Sequence, residues 1–98
     1  MRLAATSTEY VHVPVTAPAG VDLTGVTPRL AFLPQSTADN PEPEDWHAGT
    51  WVDGEALVLV GPDGGTELDV GHYWVWINID PPGPENVVQR TPGGLTIY

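Results

Sequence analysis

Leu68-Asp69-Val70-Gly71-His72-Tyr73-Trp74-Val75-Trp76-Ile77-Asn78-Ile79-Asp80 decides the fold. From Gly71 onward the run alternates. Tyr73, Val75, Ile77 and Ile79 share one side of an extended chain, and His72, Trp74 and Trp76 share the other. Aromatic and β-branched residues suit a pleated surface, and Pro81-Pro82-Gly83-Pro84 stops the pattern, which predicts a strand over 71–80. A sheet with one wet face carries polar residues there, but Trp74 and Trp76 break that rule. Such a face calls for a cover: the 34–45 loop, the N-terminal segment, or another protein.

Working outward, every neighbouring segment also reads as a strand. Asp53-Gly54, flanked by Trp46 to Val52 and Glu55 to Val60, is a two-residue hairpin turn that needs positive φ at both positions. Within Glu55 to Val60, Leu57 and Leu59 face away from Ala56, Val58 and Val60, so this strand too is apolar on both sides. Thr8 to Val15 alternates with Val11, Val13 and Val15 on one face, and Pro14, which lacks an N–H, marks it as an edge. Pro28 to Leu33 follows, with Leu30 and Phe32 on one face. At the end of the chain, Asn86 to Arg90 and Leu95 to Tyr98, joined through Thr91-Pro92-Gly93-Gly94, are expected to form a hairpin. Eleven Gly and eleven Pro leave no window for a three-turn amphipathic helix. The expected architecture is all-β: about seven antiparallel strands in one domain over 1–98, with 34–45 an exposed, proline-rich acidic loop.

The corner at 69–73 resembles the tyrosine corner of immunoglobulin-like sandwiches, in which Asp-x-Gly-x-Tyr-x-Cys opens a core strand. The matching residues are Asp69, Gly71 and Tyr73. The resemblance implies a Tyr73 ring packed inward with its hydroxyl on a backbone partner, and a close approach at Gly71. Where that family has its second cysteine this chain has Val75, and the chain contains no cysteine at all, so no disulfide forms. Contact between Val75 and Leu30 or Phe32 is expected instead, with Trp51 or Trp46 as the core tryptophan.

A second resemblance runs through Phe32, Pro34, Asp45-Trp46, Trp51, Leu59-Val60-Gly61-Pro62, 71–76 and Gly94-Leu95-Thr96-Ile97-Tyr98. These residues look like small accessory proteins encoded among the virion structural genes of actinobacterial tailed phages. That resemblance implies a structural subunit and carries no catalytic residue. The implied partners are other virion proteins, namely the major capsid protein or the connector and tail subunits, with self-association as a further mode. The implied location is the virion, after synthesis in the host cytoplasm.

Charge narrows the partners further. Three arginines and no lysine stand against 13 carboxylates, a formal net charge of −10, which cannot neutralise phosphates and excludes nucleic acid and anionic membranes. The start of the chain has too short an apolar run for a signal peptide, and no run approaches the roughly 18 residues of a membrane span.

Motifs for catalysis are missing: there is no Gly-x-Ser-x-Gly, no phosphate-loop lysine, and no histidine patterned near Ser7 or Ser36. His12, His47 and His72 fall on separate elements without metal-ligand spacing, so neither metal nor cofactor is expected. The reading is therefore a non-enzymatic subunit, a capsid decoration or head–tail accessory protein. It would act by surface complementarity through His72, Trp74, Trp76, Leu57 and Leu59. The alternative is a tail-associated glycan-binding module that stacks sugars on the tryptophans, with Asn78 and Asp80 as polar partners.

Overall fold

A computed structural model describes residues 1–16, 25–37, 40–80 and 86–98 of the chain. Among the described residues eight strands are formed: β1 (Arg2–Leu3), β2 (Glu9–Pro14), β3 (Arg29–Pro34), β4 (His47–Ala48), β5 (Thr50–Val52), β6 (Glu55–Val60), β7 (Gly71–Ile79) and β8 (Val87–Ile97). They build a five-stranded sheet, β1-β8-β7-β3-β4, and a three-stranded sheet, β2-β6-β5. A 3₁₀ turn, Pro43–Asp45, lies in the acidic loop. Among the described residues no helix is long and apolar enough to cross a membrane.

One core joins the sheets. From the large sheet come Leu30, Phe32, Tyr73, Val75, Ile77, Ile79, Leu95, Ile97 and Leu3; from the small sheet come Val11, Val13, Ala56, Val58 and Val60. These are the alternating positions of each strand, so membership of the core follows the period-two pattern of the sequence, while Ala31, Leu57 and Asn78 are buried on the outer faces. Asp53 and Gly54 sit at φ 49° and 79°, as the two-residue turn between β5 and β6 requires. Pro14 closes β2, which among the described residues pairs on one side only, with β6.

Three elements differ from the sequence expectation. First, the segment 46–52 is not one strand. β4 pairs with β3 in the large sheet, whereas β5 pairs with β6 in the small one. The switch occurs at Gly49, whose N–H donates to the Pro28 carbonyl at 2.8 Å, and a Cβ there would press to 2.5 Å from the Leu57 carbonyl oxygen. Only glycine lets the chain cross so closely.

Second, the end of the chain is not a hairpin. β8 runs as one strand along the whole of β7, with a bulge between the pairs Trp74↔Gly94 and Trp76↔Arg90. Pro92 cannot donate to a ladder, and the Thr91 hydroxyl instead donates to the Val75 carbonyl at 3.0 Å. Thr-Pro-Gly-Gly reads as a turn, but nine-residue β7 offers a template for both halves. Third, the strands are not all antiparallel: β1 pairs in parallel with β8, Arg2 against Thr96 and Leu3 against Ile97. Leu3, 4% exposed, plugs the core from this edge.

Candidate functional site

Of the corner that the resemblance implies, the tyrosine contact is present and the glycine contact is not. The Tyr73 ring is buried, and its hydroxyl donates to the Asp69 carbonyl at 2.7 Å. Burial raises the Tyr73 pKa above its ordinary value, and the nearby Asp69 charge pushes the same way. Asp69 takes part in this bond through its backbone. The close approach expected at Gly71 is not seen, since an added Cβ would make only an ordinary contact, 3.9 Å from the Tyr73 ring. The expected core tryptophan is Trp51, half-buried against the core, with its indole N–H donating to the Val26 carbonyl at 2.6 Å. Trp46 lies just before β4, outside the core cluster. Phe32 stands opposite Val75, but on the adjacent strand of the same sheet. The strands that face β7 across the core belong to the small sheet.

The outer face of the large sheet carries the candidate interface. Opposite the core-facing residues of β7 lie His72, Trp74 and Trp76, exposed, half-buried and half-buried in turn. Register sets Leu33 and Gly94 beside Trp74, and Ala31 and Arg90 beside Trp76. The Arg90 guanidinium lies over the Trp74 ring, 4.4 Å from its centroid, which both desolvates the ring and holds the cation. Ala31, small enough to sit beneath the indoles, is fully buried. His72 Nδ1 is 3.0 Å from the Thr96 hydroxyl. The Trp76 indole N–H is buried without a hydrogen-bond partner among the described residues.

Leu57 and Leu59 do not join this patch. They lie on β6 of the other sheet, with their side chains on its outer face, so the two sets point away from one another across the core. Leu57, 7% exposed, is flanked by His12 and Thr50, and Leu59 is held under the 61–65 turn, where a Cβ on Gly64 would fall 2.9 Å from its Cγ. Alternation in the sequence shows that a strand is apolar on both faces, but not which sheet it joins. Arg90 and Leu33 were missed because the signal for them is register. An unbroken antiparallel register from Trp74↔Gly94 would set Pro92 opposite Trp76, and the two-residue shift at the bulge brings Arg90 there instead.

The groups that would serve other chemistry are dispersed or occupied. His12 on β2 lies 3.5 Å from the Glu55 carboxylate, His47 on β4 lies 3.5 Å from the Thr66 hydroxyl, and His72 is on β7. A half-open groove of about 210 Å³ forms where Ala4, Ala5 and Ser7 pass Gly61, Leu68 and Asp69, and aliphatic groups make up much of its lining. Asn78, named above as a sugar partner, is 7% exposed, and its amide donates to the Asn86 side chain at 2.5 Å and the Val87 carbonyl at 3.1 Å. Asp80 lies exposed beyond the end of β7. No protein-family model, curated protein or solved structure matches this chain.

Proposed function

We propose that this chain is an immunoglobulin-like, non-enzymatic structural subunit of a tailed-phage virion. In this reading it decorates the capsid or head–tail region and binds neighbouring virion proteins by surface complementarity. The strand order supports the architectural part. Taken in sequence as A, B, C, C′, D, E, F and G, the eight strands fall into A-G-F-C-C′ and B-E-D sheets, and the tyrosine corner opens strand F. Val11 and Val13 then occupy the B strand that bears the first cysteine of that family, and the core tryptophan on strand D departs from its usual place on strand C.

The single observation that carries the functional part is the outer face of β7. Two indoles there lie beside Leu33 and Arg90, one of the three arginines of the chain, over the buried Ala31. Aromatic residues and arginine are the anchors that protein interfaces favour. A sugar platform needs a bare ring with free polar groups at its rim. Here the Trp74 ring carries Arg90 and the Asn78 amide is spent internally. Subunits of this type stabilise a shell by binding it better assembled than apart.

Trp74→Ala and Trp76→Ala, assayed by co-sedimentation with tailed-phage particles, test the reading. Each should weaken incorporation by about 2 kcal/mol or more. The isolated domain should stay folded, losing less than the roughly 3–5 kcal/mol typical of a fully buried indole. Unchanged incorporation would remove the interface role, and loss confined to carbohydrate retention would transfer the face to the glycan class.

A further inference from the structure

Sheet edges show a second, independent surface, which stands or falls apart from the outer-face reading. Among the described residues, β8 meets another strand on its far side only at Thr96 and Ile97, where β1 pairs with it. The stretch Val87-Val88-Gln89-Arg90 has β7 on one side and, among the described residues, no strand on the other. A free edge presents unpaired N–H and C=O groups, and proteins guard such edges with proline, charge or brevity. The other edges here are guarded in that way. β1 and β4 have two residues each and β5 has three, while six-residue β2 begins with Glu9 and ends with Pro14. Residues 87–90 contain neither proline nor glycine, their one charge, Arg90, is drawn over the Trp74 ring of the same sheet, and they expose an apolar side chain on each face: Val87 at 41% and Val88 at 47%.

From this we infer that the β8 edge pairs antiparallel with the same edge of a second copy of the chain, about a two-fold axis through Val88. A strand edge is recognised by another strand, and this segment complements itself. With the axis at Val88, the outer face sets Val88 against its mate and Arg90 against Asn86, and the core-side face sets Val87 against Gln89. The two arginines then lie four residues apart along the ladder, about 14 Å; an axis at Gln89 would bring these like charges to about 7 Å along it, as diagonal neighbours. The pairing fuses two large sheets edge to edge and extends the Trp74 and Trp76 face of one copy into that of the other.

The natural absence of cysteine makes the test site-specific. Residues facing each other across an antiparallel ladder have Cα atoms about 4.5–5.5 Å apart, within the span of a disulfide. Val88→Cys should therefore cross-link to a covalent dimer under mild oxidation at least roughly tenfold faster than Val52→Cys, placed on equally exposed β5 far from the axis. Because each copy carries −10, sedimentation equilibrium of the unaltered chain should show a dimer that tightens as salt rises. Val88→Lys, with its circular dichroism unchanged, should lose it. Equal cross-linking rates at the two cysteine sites, a monomer at every concentration and salt, or a dimer that Val88→Lys leaves intact would each overturn the inference.

Discussion

Tyr73→Phe removes one oxygen and leaves the buried ring in place, so it isolates the corner hydrogen bond. That bond, at 2.7 Å to the Asp69 carbonyl, joins the start of β7 to the chain four residues earlier. A neutral hydrogen bond of this kind contributes about 0.5–1.5 kcal/mol net, and a buried acceptor left without its donor costs about 1–3 kcal/mol. Asp69 is an exposed residue, so water can reach its carbonyl once the phenol oxygen is gone, and the loss should lie near the lower figure. About 1 kcal/mol is expected, read as a lower urea midpoint with an unchanged slope, or a fall in Tm of about 4–8 °C for a domain of this size.

The pH dependence of that loss checks the cause. Burial, then the Asp69 charge, raises the Tyr73 pKa in the folded state. The unfolded chain thus gives up this proton first, near pH 10, and binds fewer protons than the folded chain above it. The contribution of the hydroxyl is fully present below about pH 10 and is lost as pH rises through the raised folded value. The gap between the natural chain and Tyr73→Phe should therefore narrow in strong alkali. A neutral substitution at pH 7, or a gap that stays constant through about pH 11, would refute the reasoning.

Two further outcomes follow from the same structure. Thr91→Val keeps shape but deletes the donor to the Val75 carbonyl inside the bulge; it should cost about 1–2 kcal/mol by chemical denaturation, since Val75 is buried and water reaches its carbonyl poorly. No loss would mean that 91–94 behaves as a free turn. Thermal melts should rise from very low to moderate salt, because Arg2 and Arg90 lie over the Tyr98 and Trp74 rings and, among the described residues, the one close ion pair is His12 with Glu55. A fall would show that attractive pairs dominate the surface.

Local pattern carried the strands because burial follows alternation: Val11, Val13, Ala56, Val58, Tyr73 and Val75 are read correctly from spacing alone. The Asp53-Gly54 turn was legible for the same reason, since few residue pairs accept its dihedral angles. Where the chain goes next was not legible. Gly49 is an ordinary loop glycine in sequence, and only its contact with the Leu57 backbone shows that it moves the chain between sheets. Thr91-Pro92-Gly93-Gly94 has turn composition, yet pairing with β7 on both sides makes it a bulge. The outer face was half legible: Trp74 and Trp76 were placed together by alternation, but Arg90 depends on register, and Leu57 and Leu59 were assigned to a patch that belongs to the other sheet.

The crossing at Gly49 has a kinetic side. β4 and β5 are separated by one residue yet hydrogen-bond to different layers, so the chain between Trp46 and Val52 cannot settle into either layer without committing to both. β3 must already be near β7, and β6 near β2, before that short run gains anything from its position. Most of the pairings involved join residues far apart in sequence, so closing those loops comes first and the reward comes late. The same topology ties the layers together in the finished molecule. Peeling one sheet away pulls on the other through the one residue that separates β4 from β5, which favours all-or-none opening over the release of a single layer.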